Sequence, residues 1–443
     1  MSYKFSISQC RFAFLLMCSM LLELRGAVAQ SGPKFLQQRG VTDTVHSELL
    51  NEDRLIFVDF PLGYDPASAQ KYPVAFLLDG DVLLPAAGTV QDYYSGGFTP
   101  DMIIIGISNA ENRTRDLTPP NFARVQAKSA ADKMQAAMTP NAVTESGAPT
   151  FLDFIENELI PYVEVNYPVT NFRTLIGHSY GGLFTIYTLS ERPSLFNYYL
   201  AIDPSMNWSG GHYHYILPEK LSEKSLEGRS VFITMSGQLH FQDSTVTIAN
   251  VSEDDSWATE FPRAILKTID RLEALEPNGL HVGHKFFERD LHGTVPLPSL
   301  MEGFIALFDW YQMEGTHKIN DPSTSVATLS MIINHRAAKL ERNFGYAVPP
   351  YSEELLNMSG YMQMDMGDLE KSEMYFATAL QYYPKSANAY DSMADFYEAT
   401  QAYSAAAECM KKAISLDPLP RYKERLGELT VKSNQKIKLQ TQL

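Results

Sequence analysis

Several stretches of the chain are apolar at nearly every position. Tyr72-Pro73-Val74-Ala75-Phe76-Leu77-Leu78 is one, and it stops at Asp79-Gly80-Asp81. Residues 102–107, 197–202 and 230–235 read the same way, and 172–176 reads as a buried strand running into a sharp turn. A strand apolar on both faces predicts a parallel sheet covered by helices on both sides. Between these runs lie the helical patterns 151–167, 182–189, 257–275 and 297–311. Residues 41–64 read as two strands around a turn at Asn51-Glu52-Asp53, and 284–290 as the last strand. Strand and helix alternate through about residue 310, which predicts a doubly wound α/β domain. Such sheets bind ligands at the carboxyl ends of their strands.

The pattern then changes. A polar connection at 320–325 leads into a helical stretch, 327–343, and Pro349-Pro350 breaks the chain. Beyond it, positions recur 34 apart: Gly360 with Ala394, Phe376 with Met410, Ala379 with Ala413, Pro384 with Pro418. The period, with small, aromatic and proline residues at these offsets, resembles tetratricopeptide repeats. Two repeats are expected, at about 352–385 and 386–419, with 421–433 as a capping helix. Two repeats bury too little surface to stand alone. They are expected to lean on the 327–343 helix or on the α/β domain. Repeats of this kind bind protein partners or self-associate; alternatively, these two only buttress the domain before them.

Composition changes this picture mainly at the chain start. Lys4 and Arg11 precede an apolar run at 12–22 that is short for a membrane span, and Ala27-Val28-Ala29 fits a cleavage site. Residues 1–29 are therefore expected to be a secretory signal, giving a secreted or periplasmic protein with no membrane span after its removal. That removal takes away three basic residues and one acid, so the net charge of −16 becomes −18. An acidic chain is a poor partner for nucleic acid or an anionic membrane. Cys10 and Cys18 fall in the signal, leaving Cys409, which reads as a small buried hydrophobe. No zinc-site spacing and no glycine-rich phosphate loop occur. Neither a metal nor a cofactor is expected.

The chemistry centres on Gly177-His178-Ser179-Tyr180-Gly181, a G-x-S-x-G stretch between an apolar strand and a helical run. That context makes it a nucleophile elbow, which presents the Ser179 hydroxyl above the sheet edge. A serine needs a base to take its proton. In this arrangement the chain order is Ser, acid, His. His292 follows the last strand, where that order puts the base. The acid is expected after the 230–235 strand, where Asp243, Glu253, Asp254 and Asp255 all lie. Asp255 is the choice, although Asp254-Asp255-Ser256 also reads as a helix cap. Asp203, just past the preceding strand, is the outside alternative. Tyr180 and either Gly80 or Asp81 would supply the N–H donors of an oxyanion hole. Asn109, Arg113 and Arg115 lie beyond a strand end, where a cation can hold a substrate carboxylate or phosphate. Arg115 and Asp116 read equally as a surface loop. His178 is adjacent to Ser179 with its side chain turned away, so it reads as structural or pocket-lining. Residues 121–150, rich in Ala, Met and Lys, are a candidate lid.

Together these stretches, with Gly106-Ile-Ser-Asn109, Arg113-Thr-Arg-Asp-Leu-Thr-Pro119, Ala201-Ile-Asp-Pro-Ser205 and His292-Gly-Thr-Val-Pro-Leu-Pro298, resemble the putative-esterase family of α/β-hydrolases. That family includes enterochelin-type siderophore esterases, feruloyl and acetylxylan esterases, the esterase D group and mycolyltransferases. The resemblance implies an α/β-hydrolase with a doubly wound, mostly parallel sheet, followed by a small all-α tetratricopeptide module. It implies Ser179 as nucleophile and His292 as base, and leaves the acid open. The expected division is signal 1–29, hydrolase 30–315, linker helix 316–350 and repeats 351–433. The expected activity is hydrolysis of a small-molecule or carbohydrate ester. Acyl transfer to an alcohol, or a lapsed hydrolase serving as a binding platform, are the alternatives.

Overall fold

The computed structural model describes residues 40–68, 70–121, 146–240, 243–319 and 321–441. The expected signal and most of the candidate lid lie outside the described residues. Eight strands form one sheet in the order β1-β2-β4-β3-β5-β6-β7-β8. The hairpin β1 (Val41–Ser47) and β2 (Glu52–Asp59) is antiparallel, and β2 also pairs antiparallel with β4. From β3 (Tyr72–Leu77) and β4 (Ile103–Ile107) through β5 (Val169–His178), β6 (Tyr198–Ile202), β7 (Arg229–Ser236) and β8 (Leu280–Phe287), every pairing is parallel. The last strand lies earlier than the expected 284–290. It is the half-exposed edge strand, so no continuous apolar run marks it.

Because side chains alternate across a strand, each central strand feeds two cores. Val74, Phe76, Ile103, Ile105 and Leu175 enter one; Ala75, Leu77, Ile104 and Ile176 enter the other. The second face is covered by α1 (Gly80–Tyr94), a helix absent from the patterns that the sequence predicts. A short helix α2 (Arg113–Leu117) follows β4. The first face carries α3 (Ala148–Phe154), a π turn at Ile155–Leu159, α4 (Ile160–Asn166), α5 (Tyr180–Glu191), α6 (His212–Leu221) and α7 (Glu260–Glu273). Helix α8 (Pro296–Leu307) returns to the face of α1.

Helix α9 (Val326–Phe344) belongs to both halves of the molecule. Its Leu340 and Phe344 sit in the sheet's second core, while Leu329 and Ile333 join Tyr351, Leu356 and Tyr375 in the first repeat. Phe344 lies 5.2 Å from Phe172, and the Tyr346 hydroxyl donates to Thr170 Oγ1 at 2.8 Å. Both contacts are near the start of β5, whose far end carries Ser179. The helical module is thus anchored away from the sheet's carboxyl edge. It comprises α10 (Glu353–Asp365), α11 (Leu369–Tyr382), α12 (Ala387–Ala399), α13 (Tyr403–Leu416) and α14 (Pro420–Thr441). No helix among the described residues is long and apolar enough to cross a membrane.

Candidate active site

Strand β5 ends at His178 and α5 begins at Tyr180, leaving Ser179 at φ 60°, ψ −115°. A non-glycine residue held there is strained and persists only where its surroundings enforce it. A Cβ on Gly177 would lie 2.3 Å from the Gly181 backbone, so the turn cannot close with a larger residue. A Cβ on Gly182 would lie 2.9 Å from Pro204, so glycine also lets the end of β6 come close. The Ser179 N–H donates to the Ile202 carbonyl at 3.0 Å, and the Ser205 N–H donates to the Ser179 carbonyl at 3.0 Å.

Three side chains meet at this turn. Ser179 Oγ is 3.0 Å from His292 Nε2, and His292 Nδ1 is 2.7 Å from Asp203 Oδ2. A carboxylate only accepts, so Nδ1 carries the proton and Nε2 is free to accept from the serine hydroxyl. Asp203 is fully buried, and its other oxygen accepts the Ser236 N–H at 2.9 Å. Ser205 Oγ lies 3.3 Å from Ser179 Oγ. The Phe261 ring stands edge-on to His292 at 5.3 Å.

Asp255 is not brought to His292, which corrects the sequence expectation. Its side chain is fully exposed and lies 3.7 Å from Arg263 Nη1. Its neighbours are spent locally: Asp243 accepts from the Thr245 N–H and hydroxyl, and Asp254 accepts from the Ser256 N–H. The acid beside the imidazole comes from the end of β6, not β7. Register explains why both strands were eligible: Ile202 pairs with Thr234, so the two strand ends are neighbours. Chain order could not separate them. The available signal was an aspartate directly following a fully apolar strand, the same position Ser179 takes after β5.

The residues expected to touch substrate divide unevenly. Asn109 is buried, and its side chain accepts the Asp79 N–H at 3.1 Å and reaches Asp116 at 3.4 Å. It fastens the loops after β3 and β4, and its amide is not presented to a ligand. The Arg115 guanidinium is taken up by Glu52 and Asp116, the surface-network reading of that loop. Those two assignments are therefore corrected. Arg113 is one-third exposed, forks over Asp79 at 2.8 and 2.9 Å, and reaches the His178 carbonyl at 3.3 Å. Burial pushes the Asp79 carboxyl up, against the pull of Arg113. His178 sits beneath His292, and burial, then the His292 charge, lowers it to about 4.

Gly80 and Asp81 begin α1, as Tyr180 begins α5. First-turn N–H groups have no acceptor within their own helix. A Cβ on Gly181 would lie 3.5 Å from Leu78 and 3.6 Å from Asp79, so the two helix starts adjoin. Among the described residues no cluster of His, Cys, Asp and Glu could hold a metal ion.

A nucleophile elbow after β5 of this eight-stranded, mostly parallel sheet defines an α/β-hydrolase. More narrowly, residues 47–276 match the family described as "Putative esterase", and the chain belongs to it. Tetratricopeptide repeats match at 353–386 and 387–418. The chain is 31% identical over 174 residues to a siderophore triacetylfusarinine C esterase of Aspergillus fumigatus, covering 36% of this chain and 53% of that one. It is 31% identical over 173 residues to the ferri-bacillibactin esterase BesA of Bacillus subtilis, covering 36% and 56%. The chain spans about half the length of the curated relatives it matches. Among solved structures, an IroE-like serine hydrolase from Shewanella oneidensis superposes with a TM-score of 0.59 at 25% identity, over 77% of this chain and 99% of that one. A protein from Capnocytophaga ochracea shares the fold, with a TM-score of 0.52 at 17% identity, over 88% of this chain and 99% of that one.

Proposed function

We propose that the chain is a serine esterase that hydrolyses a carboxylic ester through an acyl-enzyme on Ser179. The observation carrying this reading is the unbroken Asp203–His292–Ser179 relay, at 2.7 and 3.0 Å. Ser179 Oγ attacks the ester carbonyl while His292 Nε2 takes its proton. Asp203 keeps His292 in the tautomer that can accept, and stabilises the imidazolium that forms. The main-chain N–H of Tyr180, with that of Gly80 or Asp81, receives the negative charge on the carbonyl oxygen. As the intermediate collapses, the carbon–oxygen bond to the alcohol breaks and His292 protonates that alcohol. Water, deprotonated by His292, then attacks the acyl-enzyme and frees the acid and Ser179.

The substrate class rests on the relatives, whose names give siderophore esters. Siderophore ester linkages are therefore the first substrates proposed for this chain. Export rests on the sequence of residues 1–29, and the hydrolase is proposed to span 30–315, with 316–350 joining it to a partner-binding or self-associating module at 351–433. The test is hydrolysis of a p-nitrophenyl ester series, and of triacetylfusarinine C, bacillibactin and enterobactin, by the wild-type chain and Ser179→Ala. Cleavage that falls by at least about 10³-fold in the variant supports the reading. Wild-type protein that cleaves no ester and takes up no fluorophosphonate label overturns it.

A further inference from the structure

The base of the relay stands on a loop. His292 lies between β8 and α8, and 37% of its side chain is exposed. Asp203 fixes one ring nitrogen, but a ring held at one point swings if its main chain drifts. Two contacts restrain that main chain. The His292 N–H reaches Gln238 Oε1 at a long 3.4 Å, and the His292 carbonyl lies 2.9 Å from His178 Nε2. The second is the shorter, and its origin matters. His178 is the last residue of β5, immediately before Ser179, so the contact ties the base to the strand that carries the nucleophile.

Resting on the esterase reading above, we infer that His178 is a positioning residue whose Nε2–H, donated to the His292 carbonyl, sets the separation between His292 and Ser179. A carbonyl only accepts, so the proton must sit on Nε2. The imidazoles lie 4.7 Å apart, centre to centre, at 38°. A charged His178 would oppose the imidazolium that forms on His292 during the reaction. Burial keeps His178 neutral at working pH, with its value lowered to about 4. The residue therefore supplies a donor without supplying a charge, which neither lysine nor arginine could do.

Three variants test this. His178→Phe keeps a ring but has no donor. His178→Gln places an amide N–H at about the reach of Nε2. Ser179→Ala reports the esterase reading itself. Misplacing a reacting group by about 1 Å costs roughly 10²-fold, so His178→Phe should lower kcat between about 10- and 100-fold with KM within about threefold. Fluorophosphonate labelling of Ser179 should slow in parallel. His178→Gln should recover to within about fivefold of wild type in both assays. Thermal unfolding monitored by circular dichroism verifies that each variant is folded. If folded His178→Phe matches wild type in kcat and labelling, or if Gln fails to recover what Phe loses, the inference is overturned. Wild-type protein inert in both assays fails the esterase reading instead, so the two failures are distinct.

Discussion

At Asp203 and Asp255, two carboxylates of equal chemistry have opposite surroundings. Asp203 is fully buried at φ 40°, with one oxygen on the Ser236 N–H and the other on His292. Asp255 is fully exposed beside Arg263. Replacing Asp203 with Asn keeps the shape but presents an amide that can donate, so His292 can be held as the Nε2–H tautomer, which cannot accept from Ser179. Loss of the orienting acid in such a relay costs up to about 10⁴-fold in kcat. Asp203→Asn should therefore lower kcat at pH 7 by about 10³- to 10⁴-fold, while Asp255→Asn stays within about twofold, measured on the same p-nitrophenyl ester. Equal losses in the two variants would refute the relay. Ser179 and His292, which the structure brings within 3.0 Å, were legible because each sits in a local pattern: glycines around Ser179, and a histidine after the last strand. Asp203 was not, because the carboxylate beside His292 depends on which of two adjacent strand ends turns toward it.

Continuous apolar runs made β3, β4, β6 and β7 legible, since a strand buried on both faces leaves little polar interruption, while β5, interrupted by Arg173 and Thr174, was legible from the glycine turn that ends it. Edge strand β8 lacks that signature and was read late. Helix α1 was hidden by Pro85 and by the turn-like Asp79-Gly80-Asp81 at its start. In the repeats, the 34-residue period marks actual packing pairs. A Cβ on Gly360 would lie 2.6 Å from the ring of Phe376, which is fully buried beside Tyr361 and Phe396. The second repeat has Ala394 and Met410 at the corresponding positions, both fully buried. Gly360→Ala gains about 1 kcal/mol of helix propensity but forces a ring that has nowhere to go, and overpacking of this kind costs about 1–3 kcal/mol. The variant should melt several degrees below wild type with its esterase kcat unchanged. Adding Phe376→Met reproduces the pair of the second repeat and should recover most of the loss. A single variant as stable as wild type would show that the Phe376 ring yields freely.

On the scale of the whole molecule, one helix determines whether two domains behave as one body. Arg336 of α9 is buried, and it donates from Nε to the Pro350 carbonyl at 2.6 Å and from Nη1 to the Tyr311 carbonyl at 2.8 Å. Its guanidinium also lies over the rings of Tyr311 and Tyr351, at 5.1 and 5.4 Å. Tyr311 lies near the end of the proposed hydrolase segment and Pro350-Tyr351 where the repeats are proposed to start, so a single planar cation bridges the seam. Arg336→Met keeps much of the apolar stem but loses two charge-assisted hydrogen bonds, each about 1.5–3 kcal/mol, and leaves two carbonyls without that donor. Arg336→Lys should rescue little, because an ammonium cannot fork to both carbonyls or stack between the rings. The seam lies near the start of β5 and the relay at its far end, so the loss should be mechanical. Calorimetry of Arg336→Met should separate a lower-melting repeat transition from that of the hydrolase, and limited proteolysis should cut between residues 311 and 352. The kcat below that first transition should stay within about twofold of wild type. A single transition at the wild-type temperature would mean that the apolar contacts of Leu340 and Phe344 hold the two halves together without the arginine.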